Sequence, residues 1–300
     1  MIRRSSLGPT IIIGKRYGMD KHIPARTLPY RDFDFTSWIW QHVFAQALED
    51  DCTLLSLRQY TYNDVVQYVR NHDLGYDEID FSHVEHWVEK NMIAKFTQDC
   101  ISQTLPSGGF FYAASSIPPN FFSQFMSTSL PHLTVVPTVP GASLETIPKK
   151  RIMHTLGSDV YRDNFMLLEA KLNNMKEGVF GVISYLNDAT ALAKGEATLR
   201  AIRWEWFQYQ QEYSPFIGGG TIDVVAAWDE WYLDFMQTRT LAARDWLIKW
   251  ATDGLAHWQD RTDRDGETAK RICALYLDRA DALGGFNSEG YPRGTPTPPP

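Results

Sequence analysis

The segment AIRWEWFQYQQEY, residues 201–213, carries Trp204, Trp206, Phe207, Tyr209 and Tyr213. So many rings in so short a stretch restrict what the chain can fold into. At about 100° per residue, Leu199, Ile202, Trp206, Tyr209 and Tyr213 fall within roughly 80° of arc on a helix. Val224, Trp228, Trp231 and Phe235 repeat that spacing further on. Between the two stretches lies SPFIGGG, where a proline stops one helix and three glycines free the turn. Two apolar stripes joined by a tight turn are expected to face each other as an antiparallel hairpin. Burial of one such ring contributes about 1.5–3 kcal/mol, and a wet surface of rings invites aggregation. The stripes are therefore expected to be core. Trp204 and Phe207 stand off the stripe and are the two rings here that are candidates for stacking on a ligand.

The remaining periodicity predicts a mainly α protein: a helical bundle with a long proline-rich irregular connection and a disordered C-terminal tail. Residues 1–105 read as an irregular arm followed by a helical half. Its helices are expected over 34–51, with Thr36 or Ser37 as cap, over 61–73, and over 80–105, where Ser82 and Glu85 form a capping box. Residues 106–150 include Pro106, Pro118, Pro119, Pro131, Pro137, Pro140 and Pro148. They read as a connection between two halves, with a short helix at 120–127 and at most an edge strand in LTVVPTV. Residues 151–285 form the aromatic-rich bundle, with helices near 159–175, 177–193, 196–213, 222–259 and 266–283. Residues 286–300 end in GYPRGTPTPPP, a composition without helix or strand formers.

A net charge of -7 argues against a nucleic-acid partner, which calls for a basic stripe against phosphates. No stretch reaches the roughly 20 apolar residues that span a bilayer, so a soluble chain without a membrane span is expected. Cys52, Cys100 and Cys273 are odd in number and far apart, which is neither a disulfide framework nor a metal spacing. The basic start, MIRRSSLGPTIIIGKRYGM, has an apolar run of Ile11 to Ile13 only, too short for a secretory core. The default compartment is the cytoplasm.

Chemistry-bearing motifs are incomplete. HVEH sets His83 and His86 one helical turn apart, but nothing nominates a third ligand, so no metal is expected. NDATALAKGE (187–196) resembles the second magnesium motif of class I terpene synthases, yet Ala191 and Gly195 stand where its hydroxyl and glutamate belong. LEDDCTLL has Leu54 at the last carboxylate of the aspartate-rich partner motif. Without both motifs a diphosphate lacks its metal clamp. No phosphate-binding glycine loop or nucleophile elbow occurs, and no cofactor is expected. The glycines before Asp223 open a helix whose N-terminus attracts anions in principle, although an interhelical turn explains them more simply.

HVEHWVEKNMIAKF with LPSG, LGSDVYRDNFMLLEAKLNNMKEGVFG (156–181) and VVAAWDEWYLDFMQTRTLAARDWL resemble segments downstream of the catalytic barrel in large fungal chitinases of the killer-toxin type, within glycoside hydrolase family 18. Members of that family carry D-x-x-D-x-D-x-E, whose glutamate protonates the leaving oxygen. In DEIDFSHV, Asp77 and Asp80 match the first two positions, but Ser82 and Val84 replace the third carboxylate and the acid. The resemblance implies a non-catalytic accessory or interaction module, secreted if it is part of a longer chitinase-like protein. Its partner would be another protein or a cell-wall-associated one. A helical enzyme of terpene-synthase type and a capsid-like assembly subunit are the alternatives. Asp159, Arg162, Asp163 and Asn164 form the polar cluster that is the candidate interaction surface beside Trp204 and Phe207, with capping of the following helix as their structural role.

Overall fold

A computed structural model describes residues 42–46, 57–72, 82–89, 91–133, 146–156, 164–169, 189–216, 218, 220–281 and 284–298. The protein is mainly α. Its helices are α1 (Tyr62–His72), α2 (Asn91–Ser102), α3 (Pro119–Ser123), α4 (Pro148–Thr155), α5 (Ala189–Phe216), α6 (Val224–Trp258) and α7 (Arg264–Asp281).

The two aromatic stripes behave as their spacing requires. Leu199, Ile202, Trp206, Tyr209 and Tyr213 of α5 are buried, as are Val224, Trp228, Trp231 and Phe235 of α6. Trp206 and Trp228 meet across the hairpin with centroids 6.3 Å apart. The turn between them uses positive φ at Gly218 (76°) and Gly220 (92°), which side chains disfavour. Asp223 then caps α6, its Oδ1 accepting the Ala226 N–H at 2.9 Å. The Gln210 side chain takes the Val225 N–H at 3.1 Å. Two of the free donors that would draw an anion are thus already engaged.

Phe96 of α2 completes the hairpin. Its ring lies 5.3 Å from Trp206, 5.1 Å from Trp228 and 5.7 Å from Trp231. Asp99, one turn along, accepts the Trp231 indole N–H at 2.8 Å and fixes the rotation of α2. The proline-rich connection belongs to the same core: Phe111, Phe121, Phe122 and Phe125 are buried. Tyr213 stacks edge-on between Phe121 and Phe125 at 5.2 Å from each. The short helix expected at 120–127 appears as α3 and a 3-10 turn at Phe125–Ser127. The expected strand in LTVVPTV lies outside the described residues beyond Leu133. One buried cluster runs from Val88 to Tyr291, so the expected division at 106–150 is not a gap in packing.

Three expectations about elements need correction. A four-stranded sheet, order β2-β1-β4-β3, is formed by β1 (His42–Gln46), β2 (Leu57–Thr61), β3 (Ser82–His86) and β4 (Phe165–Glu169). Strands thus replace helix at 42–46, at 82–86 and at 165–169. β1 pairs antiparallel with β2 and parallel with β4, while β3 pairs antiparallel with β4. Each strand has five residues, too short for period 2 to stand out. Leu167 and Leu168 are both buried although they are adjacent, which imitates a helical stripe. Pairing with distant partners overrode a weak local preference. No helix starts at Ser82, so the box expected there has no helix to cap; a box is present at α1, where Thr61 N–H meets Asp64 Oδ2 at 2.9 Å and Asp64 N–H meets Thr61 Oγ1 at 3.2 Å.

The tail is the second kind of correction. Residues 284–298 have no regular structure, yet they are pinned along α6. Tyr291 stacks on Tyr232 at 5.0 Å and donates to Asp229 at 2.6 Å. Arg203 reaches the Gly294 carbonyl at 2.9 Å, and Phe286 N–H donates to Gln237 at 2.9 Å. Composition spoke for disorder, but one buried ring and three hydrogen bonds outweigh it.

Beyond Met236 the core narrows to a two-helix arm of α6 and α7. Ala243, Leu247 and Ala251 of α6 and Cys273 and Ala280 of α7 are all buried. A Cβ at Gly254 would come 2.6 Å from Cys273 Sγ, so this seam depends on a missing side chain. Gly254→Ala is expected to lower stability by about 1–3 kcal/mol, and Cys273→Ala to recover most of it. Phe96→Ala is expected to cost about 3–5 kcal/mol, because it empties the centre of the ring cluster. Urea unfolding followed by tryptophan fluorescence measures both.

Candidate functional site

Several interior polar groups hold elements together. Arg151 of α4 makes a two-pronged pair with Glu205 of α5, at 2.9 Å for Nε–Oε2 and 2.9 Å for Nη2–Oε1. The Tyr209 hydroxyl donates to the same carboxylate and sits 2.9 Å from the Pro148 carbonyl oxygen. Burial pushes the Glu205 carboxyl up, with the Arg151 charge and the Arg151 and Tyr209 hydrogen bonds pulling the other way. Burial also pushes the Cys100 thiol well up, reinforced by Asp99 and Glu230, so it is a poor nucleophile. Asp229 is held by Arg203 at 2.8 Å as well as by Tyr291.

Of the proposed surface cluster, Asp159, Arg162 and Asp163 lie outside the described residues. Asn164 is not on a surface at all. It is fully buried, and its Oδ1 accepts the Val88 N–H at 2.8 Å while its Nδ2 donates to the carbonyls of Val88 and Leu156, each at 2.8 Å. The element after it is β4, so it caps no helix. Its amide satisfies backbone that the β3–α2 junction and the end of α4 leave free.

Trp204 and Phe207 do come together, stacked at 5.7 Å and 27°. Both are partly buried, and Phe207 packs against the core cluster. They form a flank of the hairpin more than an open platform. His83 and His86 fall in β3, so the one-turn helical spacing expected of them does not exist there. Among the described residues no group of three or more His, Cys, Asp or Glu is placed to hold a metal ion. No helix among them is long and apolar enough to cross a membrane.

Among the described residues the exposed large apolar side chains are elsewhere, in two pairs. Phe110 (54% exposed) and Tyr112 (75%) sit edge-on at 5.0 Å. Their loop is tightly made: Gly108 takes φ 89°, and Leu105 N–H donates to Gly109 O at 2.8 Å. Two carboxylates one turn apart on α6 hold the loop down. Asp234 accepts from Ser107 N and Oγ at 2.9 and 2.6 Å, and Glu230 accepts from Tyr112 N and Ala113 N at 3.3 and 2.9 Å. Trp246 and Trp250, each 42% exposed, stack at 6.5 Å on the arm. What these pairs offer chemically is flat apolar area on a rigid backbone, suited to contact and not to bond-breaking. The signal for the second pair was their offset from the Ala243–Leu247–Ala251 line on the wheel.

No protein-family model, curated protein or solved structure matches the chain.

Arg151→Met is expected to destabilise the fold by about 3–5 kcal/mol, because it strands a buried carboxylate. Adding Glu205→Leu is expected to restore most of that loss, as read from denaturant midpoints.

Proposed function

We propose that the chain is a non-catalytic helical interaction module, of the kind found downstream of the barrel in fungal killer-toxin-type chitinases. The observation that carries the reading is the contrast between interior and surface. Inside, Asp99, Glu205 and Asp229 spend their oxygens on Trp231, Arg151 and Arg203. Outside, Glu230 and Asp234 anchor a loop whose outcome is the display of Phe110 and Tyr112. Carboxylates used to aim aromatic rings at solvent favour recognition over general acid–base chemistry.

Isothermal titration of the purified chain with the catalytic barrel of a killer-toxin-type chitinase is expected to show saturable binding. Phe110→Ser with Tyr112→Ser is expected to weaken it by about tenfold or more while leaving the melting temperature unchanged. Sugar release from chitin oligosaccharides by the chain alone, or no heat of binding to the barrel, overturns this reading.

A further inference from the structure

The arm carries a pattern that the interaction-module reading does not use. Arg239, Ala242, Trp246, Trp250 and Asp253 are all exposed on α6. Taken from Trp246, the stripe is evenly spaced in both directions along the helix but differs in kind: the small Ala242 and the large Trp250 stand one turn away on either side, the cationic Arg239 and the anionic Asp253 two turns away. At about 100° per residue, the five share an arc of roughly 80°. Tyr276 of α7 props Trp250 edge-on at 5.4 Å, so the ledge is fixed in place from behind.

We propose that this flank is covered by a second copy of the chain, with the two α6 helices antiparallel about a twofold axis at Trp246. Such an axis sets Trp246 against Trp246 of the second copy and Trp250 of each copy over the small Ala242 of the other. It also places Arg239 opposite Asp253 twice, once on each side. An isologous interface needs a surface that is complementary to itself on reversal, which small Ala242 against large Trp250 and Arg239 against Asp253 provide.

Charge agrees. Residues 240–258 and 264–281 together hold six Lys or Arg and six Asp or Glu, in a chain whose net charge is -7. Two copies can therefore meet through the arm without the repulsion their whole surfaces would bring. Asp253 is at present paired with Lys249 at 2.6 Å, both well exposed, and an exposed pair of this type is too weak to hold it back. Two α6–α7 arms joined along this seam make a four-helix bundle, which covers the flank that a lone hairpin leaves wet.

Size-exclusion chromatography with light scattering, over a concentration series of the whole chain, is the test. A mass of twice the 34.4 kDa chain is expected, falling to the single-chain mass on dilution. Trp246→Glu is expected to give the single-chain mass throughout with an unchanged circular dichroism spectrum. Arg239→Asp and Asp253→Arg, each alone, are expected to dissociate about tenfold more readily, because each sets like charges face to face. Mixed in equal amounts they are expected to recover the dimer, since each variant then supplies the charge the other lacks; a variant that had merely failed to fold would not. A single-chain mass at every concentration overturns the proposal. So does a dimer indifferent to Trp246→Glu, or a mixture that stays apart. None of these outcomes bears on binding to the barrel, and a failed titration there leaves this test standing.

Discussion

The ring of Phe96 is the contact on which the rest depends. It stands in the gap between Trp206 on α5 and Trp228 and Trp231 on α6, and without it the two long helices would enclose a void. Buried rings prefer edge-on and offset contacts, and Phe96 makes edge-on contact with Trp228 at 81° and with Phe122 at 85°. Each of those angles constrains a different element: α2 supplies the wedge, the proline-rich connection supplies Phe122, and the hairpin supplies the walls. The connection is folded because it fills space that the hairpin alone leaves open.

Polar groups then choose one arrangement among the many that an oily interior would allow. Trp231 finds Asp99, Arg151 finds Glu205, Arg203 finds Asp229, and Asn164 satisfies three backbone groups. The Trp231–Asp99, Arg151–Glu205 and Asn164–Val88 contacts join segments far apart in the chain. A buried ionic pair adds little net stability over a well-packed apolar one, but a mismatched register would strand its charges at high cost. The Trp206 and Trp228 indoles lie buried without a hydrogen-bond partner among the described residues, a cost tolerated for the area their rings bury. Asp229 shows the economy of the arrangement, since the same carboxylate orients Arg203 and holds the tail through Tyr291.

The proposed recognition role rests on which carboxylates remain for other work. Glu230 and Asp234 lie on the α6 face nearest solvent and spend themselves on the 107–113 loop, which presents Phe110 and Tyr112. That loop was legible in the sequence only as a break, through Pro106 and the Gly108–Gly109 pair. Its display of rings rests on hydrogen bonds to residues more than a hundred positions away. Asn164 failed as a surface candidate for a related reason: a polar residue beside Arg162 and Asp163 reads as exposed until its buried partners are known. Trp204 and Phe207 were correctly set apart from the stripe, but what lies beside them is the core's own edge.

The chain by itself determined the α5–α6 hairpin, because spacing, ring content and a glycine turn all act between neighbours in sequence and agree with one another. It determined α1 and α7 for the same reason, and the short helix in the proline-rich stretch. Tertiary structure alone decided the four-stranded sheet, the anchoring of the tail and the outward face of Trp246 and Trp250. A five-residue strand has too few positions to announce its period, and its hydrogen bonds are made to partners that the local sequence does not contain. The tail is held by a slot that α5 and α6 build together. Whether a tryptophan on a helix faces in or out depends on how many neighbours surround that helix, and among the described elements α7 is the one packed most extensively against α6.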